Sequence, residues 1–167
     1  MDLFAIASVG GDGNDTPPSE PSAVWIEPAV SDAPSINKEY PMLEVVAALI
    51  CMDDRFLACQ RPEWKSRGLQ WEFPGGKVEK GESGEEALIR ECQEELAITL
   101  NVEKAVTDVV YRYPDLTVHL TLYRAVIAAG DPQRLEHNEI QWMTLEEAKG
   151  YPFCPADTIF LERLQAI

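Results

Sequence analysis

Basic residues are scarce in this chain. Its 14 lysines and arginines stand against 29 aspartates and glutamates, for a net charge of −15. Affinity for DNA or RNA rests on cations that neutralise phosphates, so a nucleic acid polymer is excluded as a partner. A small polyphosphate is not excluded, provided that a metal offsets the charge. Cysteine is also sparse. Cys51, Cys59, Cys92 and Cys154 form no CxxC pair and no zinc-ligand spacing, and three of them lie in apolar runs or on an apolar stripe. They read as buried, reduced thiols of a cytoplasmic protein rather than as disulfides or a zinc centre. Long apolar runs are missing, so no membrane span is expected. The short run Leu3–Val9 has no basic residue before it, which fits a signal peptide poorly.

What is present is enough for one folded domain, with 46% hydrophobic residues. Met1–Tyr40 differs from the rest. Half of the 12 prolines lie before Met42, and the segment holds seven acids against Lys38 alone. That composition predicts a disordered extension at 1–40 and a folded domain at 41–167. Leu3–Val9 and Ala23–Ile26 are apolar enough to dock on the domain or on a partner.

Within the folded part, Leu43–Met52 reads as a buried strand, Asp53-Asp54 as a turn and Arg55–Gln60 as the returning strand. Pro62–Gln70 is a loop, Trp71–Phe73 a short strand. Ile98–Val102, Val106–Tyr113, Leu116–Ala128 and Ile140–Met143 are further strands. Thr144–Glu147 carries a capping-box pattern. A last helix runs from about Pro155 to the C-terminus. The fold class is α+β.

The stretch richest in chemistry runs from Gly75-Gly76-Lys77 to Ile98. A glycine loop leads into a helix that starts near Glu82 or Ser83, with acids at its positive end. At 3.6 residues per turn Glu91, Glu94 and Glu95 share one face, while Leu88, Cys92 and Leu96 form the stripe that faces the core. Ala87 stands beside the acidic face and leaves room for an approaching group. No lysine lies between Glu82 and Glu95; Arg90 alone compensates, four residues from Glu86 and from Glu94. Such a cluster is either a solvated acidic face or a seat for a hard divalent cation, and the Gly-Gly loop favours the cation.

These residues resemble the signature of the Nudix hydrolases. Gly76, five residues, Glu82, seven residues, then Arg90-Glu91-Cys92-Gln93-Glu94-Glu95-Leu96-Ala97-Ile98 match every charged position of that pattern at its spacing. Ala97 departs, standing where the family usually has the glycine that ends the helix. The resemblance covers Met42–Ile167. It implies the Nudix fold, a mixed β-sheet sandwiched between α-helices, and Mg2+, or Mn2+ in its place, as cofactor. Glu91, Glu94 and Glu95 are implied metal ligands, joined by the Gly75 carbonyl and by Glu136 from a later loop. Glu82 and Arg90 are implied to orient the ligands. Glu136 is otherwise an exposed loop acid, and Arg90 otherwise a plain helix salt bridge.

Arg61 and Lys77 are candidate phosphate contacts, or exposed charges. Phe73 and Asp157 are candidates for the nucleotide pocket. Trp71–Lys77 together with Pro155-Ala156-Asp157 resembles the MutT-type branch, and the Pro-Ala-Asp form resembles relatives that hydrolyse CTP and modified dCTP. Asp157 either reads a base edge or caps the last helix. Cys154 beside it reads as packing. The activity implied is hydrolysis of (deoxy)nucleoside triphosphates to monophosphate and pyrophosphate, with 8-oxo-dGTP or CTP and modified dCTP as substrates and nucleotide-pool sanitising as the role. The partner is then a small nucleotide, and the enzyme a monomer or homodimer. A nucleoside diphosphate derivative such as ADP-ribose is the rival substrate, and a non-catalytic nucleotide sensor the rival class.

Overall fold

The strand Met42–Met52 (β2) is the spine of the molecule, as seen in a computed structural model that describes residues 25–26 and 41–166. Its side chains alternate between two cores. Val46, Ala48 and Ile50 point into one cluster, Ala47 and Leu49 into the other. Burial on both faces explains why β2 reads as a continuous apolar run rather than an alternating one.

Asp53-Asp54 turns the chain, with Asp53 in the left-handed region at φ 54°. Arg55–Gln60 (β3) returns antiparallel, pairing Cys51 with Phe56. Trp71–Glu72 (β4) pairs with β3, as does Glu139–Met143 (β8). The other half of the sheet holds Gly75–Lys77 (β5), Thr99–Arg112 (β6) and Thr117–Ala129 (β7). β7 lies parallel to β2 from Met42↔Thr117 to Ile50↔Ala125, and β6 lies antiparallel to β7. The sheet is therefore mixed.

Helices cover both faces. Gly84–Leu96 (α1) lays Ala87, Leu88, Cys92 and Leu96 on one core. Leu145–Ala148 (α2) and Pro155–Gln165 (α3) lay Leu145, Ile159 and Phe160 on the other. This is the expected α+β sandwich. No helix among the described residues is long and apolar enough to cross a membrane. All four cysteines are free, three of them buried.

Three local expectations are corrected. Ile98–Val102 and Val106–Tyr113 belong to one long strand, which absorbs the polar residues between them through register shifts. Gly75–Lys77 is not loop but the short strand β5, held against Val45–Ala47. Ala87 is fully buried in the core and leaves no open approach. The disorder expected for Met1–Tyr40 lies outside the described residues except at Trp25–Ile26. Those two form a strand (β1) parallel to β6, pairing with Val110 and Tyr111, as the docking of Ala23–Ile26 would have it.

Candidate active site

The helix α1 begins where its sequence says it should. Ser83 is the N-cap, its hydroxyl accepting from the Glu86 N–H at 3.2 Å while the Glu86 carboxylate accepts from the Ser83 N–H at 2.8 Å. Two glycines press the preceding segment against the helix and against β2. A Cβ on Gly75 would lie 2.0 Å from the Val46 carbonyl oxygen, and one on Gly76 would lie 2.4 Å from the carboxylate carbon of Glu91. Only glycine lets backbone and carboxylate come this close.

Arg90 ties the parts together. It donates to both Glu82 oxygens at 3.1 and 2.6 Å, to Glu91 at 2.9 Å and to the Lys77 carbonyl at 3.0 Å. Its hydrogen bond holds Glu82 below the usual carboxylate range. Glu91 and Glu95, one turn apart, face a cavity of about 520 Å³ that β5 and the strand ends also line. Glu94 does not line it: its carboxylate is exposed, and its ion pair is with Arg90 at 3.6 Å.

Glu95 is 8% exposed, and burial raises its pKa well above the usual carboxylate range, with Glu136, Glu91 and Glu72 adding repulsion. Glu136 reaches the same cavity from the loop after β7, where the Lys65 ammonium holds it below its ordinary value. Among the described residues no three carboxylate, thiol or imidazole side chains close on one point as a finished metal site would. The donors gathered here are nonetheless all oxygens, the type that hard divalent cations take, and a cation would relieve the crowding around Glu95. The residues present fit such an ion.

Next to β4 the chain crosses itself. Trp71 donates to the Pro152 carbonyl and accepts from the Cys154 N–H, each at 2.8 Å. That crossing sets the start of α3 beside Phe73. Asp157 is not the cap of α3, as one reading of the sequence had it. Cys154 holds the N-cap position with no side-chain bond, and Asp157 lies three residues in. Its Oδ1 accepts instead from the Phe73 N–H at 3.0 Å, and burial, with Glu72 nearby, pushes its pKa up to about 8. The Phe73 ring lines the cavity while packing on Phe56 at 5.1 Å.

Arg61 lines the cavity, but its guanidinium is taken by Glu72 at 2.8 Å and by the Ser66 carbonyl at 2.8 Å. Lys77 presents an exposed side chain at the rim. Several residues entered the cavity without being singled out in the sequence. Glu72 sits between Trp71 and Phe73 on β4, a lone acid in an aromatic strand, and that was the available signal. His137 does not line the cavity but is buried beside its acids, with Nε2 3.5 Å from Glu95 and 3.8 Å from Glu72, and its Nδ1 has no partner among the described residues. Lys65, Arg67 and Tyr113 line the cavity from segments whose spacing carried no motif.

Residues 41–164 match the family model described as the NUDIX domain. The chain is 40% identical over 126 residues to the CTP pyrophosphohydrolase of Escherichia coli strain K12, an overlap of 75% of this chain and 93% of that protein. It is 33% identical over 96 residues to the 8-oxo-dGTP diphosphatase of the same strain, covering 58% of this chain and 74% of that one. Among solved structures, the MutT protein from Methanosarcina mazei Go1 superposes with a TM-score of 0.71 at 28% identity, over 78% of this chain and 97% of that chain.

Proposed function

Because the chain belongs to the NUDIX domain family, we propose that it hydrolyses (deoxy)nucleoside triphosphates to the monophosphate and pyrophosphate, with Mg2+ as the metal. Nudix hydrolases generally need a divalent metal. The observation that carries the reading is the pair Glu91 and Glu95, turned into a cavity that the Gly75-Gly76 backbone, Phe73 and Asp157 also line. A metal seat and a base-reading group lining one cavity suit a single bound nucleotide.

In this reading Glu91, Glu95 and Glu136, with the Gly75 carbonyl, hold the cation, and Glu94, outside the cavity lining, is a further carboxylate on the same helix. The cation supplies charge neutralisation for the polyphosphate. Glu82 and Arg90 fix Glu91 in place. Lys77 offers an ammonium to the phosphates, whereas the bonds of Arg61 make it a wall of the pocket. One carboxylate of the set takes the proton of the attacking water. Asp157 meets the base edge, and Phe73 forms the apolar wall beside it. A protonated Asp157 offers one donor and one acceptor side by side, which suits the N3 acceptor and exocyclic amine of cytosine. That chemistry and the 40% identity to a CTP pyrophosphohydrolase both favour CTP and modified dCTP over 8-oxo-dGTP.

Residues 41–167 form the catalytic unit, and 1–40 is an extension outside it. The net charge of −15 suits a free nucleotide rather than a nucleic acid polymer or an anionic membrane. Four free thiols suit the reducing cytoplasm. The proposed residues all come from one chain, which serves a monomer or a homodimer equally.

The test is release of the nucleoside monophosphate from CTP, dCTP, 5-hydroxy-dCTP, 8-oxo-dGTP and ADP-ribose with Mg2+, and with excess chelator. Release from the cytosine nucleotides, abolished by chelator, is expected. Turnover of ADP-ribose alone, or of nothing, would overturn the reading.

A further inference from the structure

The loop Pro62–Gln70 makes an unusual investment in the placement of one side chain. Arg67 and Leu69 both adopt the left-handed region, at φ 56° and 63°, on either side of Gly68. A Cβ on Gly68 would lie 2.4 Å from the Glu63 carbonyl oxygen, so the turn closes tightly. Left-handed backbone is costly for residues with a Cβ, and persists where surrounding bonds over-determine it. Here the Leu69 N–H donates to the Arg61 carbonyl at 3.0 Å, the Gln70 N–H to the Arg67 carbonyl at 3.2 Å, and the Arg61 side chain to the Ser66 carbonyl at 2.8 Å.

The result is that the Arg67 guanidinium lies over the Tyr113 ring, 4.2 Å from its centroid. Asp115 fixes it at 3.1 Å and the Ser66 hydroxyl at 3.0 Å. Tyr113 is fixed in turn. Its ring packs on Tyr111 at 4.6 Å, and its hydroxyl accepts from the Ala156 N–H at 3.2 Å, one residue from Asp157. Arg67 and Tyr113 line the same cavity as Phe73 and Asp157.

We propose that Arg67, laid on Tyr113, is a substrate-binding residue that presents a flat face for the nucleobase to stack on. This rests on the nucleotide-hydrolase reading above. Asp157 faces an edge of the base; an edge contact alone leaves the plane of the ring free to tilt. The Arg67–Tyr113 pair supplies that plane. The Asp115 carboxylate already offsets the charge of Arg67, so the guanidinium acts through its face more than its charge. Guanidinium planes stack on π-faces, and a lysine ammonium has no such plane.

The test compares the wild-type chain with R67A and R67K. Calorimetry measures binding of CMP, which carries the base, and of pyrophosphate, which does not, and steady-state kinetics measures CTP. R67A is expected to weaken CMP about tenfold and leave pyrophosphate unmoved. KM for CTP should rise far more than kcat falls, and R67K should not restore either. If R67A folds poorly by its melting curve, R67K, which keeps stem and charge, carries the same comparison. Equal loss of CMP and pyrophosphate would make Arg67 a phosphate contact and overturn the proposal. Unchanged CMP binding, or full rescue by lysine, would overturn it too while wild-type hydrolysis of CTP stands. A wild-type chain that hydrolyses no triphosphate overturns the functional reading and this inference together.

Discussion

Glu95 shows how much a single position reveals, and how little. Its place on the acidic face of α1 was legible from helical spacing, since Glu91 and Glu95 lie one turn apart. Its buried neighbours were not. His137 reaches it from the loop after β7 and in turn contacts Glu72 of β4, and no spacing in the sequence links those segments. A carboxamide is a poor ligand for Mg2+, so Glu95→Gln should lower kcat by at least about a hundredfold with the fold intact. Glu94→Gln, at an exposed carboxylate, should cost less. Full activity in Glu95→Gln, with an unchanged melting curve to prove folding, would remove Glu95 from the site. Asp157 yields a prediction about pH. Its folded pKa, about 8, lies above the unfolded value of roughly 4. Its stabilising share is therefore complete below pH 4 and is lost as the pH rises through 8. Asp157→Asn keeps the shape and cannot ionise. The stability of the wild type relative to Asp157→Asn should fall between about pH 4 and 8 and level off above that, as denaturant titrations at each pH would register. A constant difference would mean that Asp157 is not held protonated by its burial.

At the scale of elements, most strands were legible because β2, β3, β7 and β8 carry uninterrupted or alternating apolar runs. The long β6 was not, because Glu103 and Lys104 break its pattern and look like a turn. Pairing with β7 overrides that local signal through register shifts on either side. β5 was hidden for a different reason. Its two glycines resemble a loop, yet the missing side chain of Gly75 lets the strand lie on β2 and that of Gly76 makes room for the Glu91 carboxylate. The end of α1 is the element where sequence and family pattern part. Ala97 adopts φ 57°, ψ 32°, and its N–H reaches the Cys92 and Gln93 carbonyls. The left-handed cap forms without the glycine that usually permits it, so the alanine side chain is strained there. Ala97→Gly should raise stability by about 1 kcal/mol, read as a higher urea midpoint at unchanged slope. A lower midpoint would mean that the methyl group packs well enough to offset the strain.

For the whole molecule the central question is what the first 40 residues contribute. The described part of that segment is a pairing of two residues with β6, against twelve paired positions between β6 and β7. Deleting Met1–Lys38 should leave kcat/KM within about twofold and lower the melting temperature by only a few degrees. A fall of more than about 10 °C by calorimetry would show that the extension belongs to the domain. The pairing also has a meaning for molecules in a crowd. Among the described residues, nothing pairs with the outer edge of β6 beyond Val110 and Tyr111, and such a row of peptide groups is the kind of edge on which a second chain can zip and start a fibril. Glu103 and Lys104 stand exposed on it, and the register breaks there bend the strand out of the flat shape that cross-β stacking requires. The irregularity that concealed β6 in the sequence is thus also one that disfavours the templating of one copy by another.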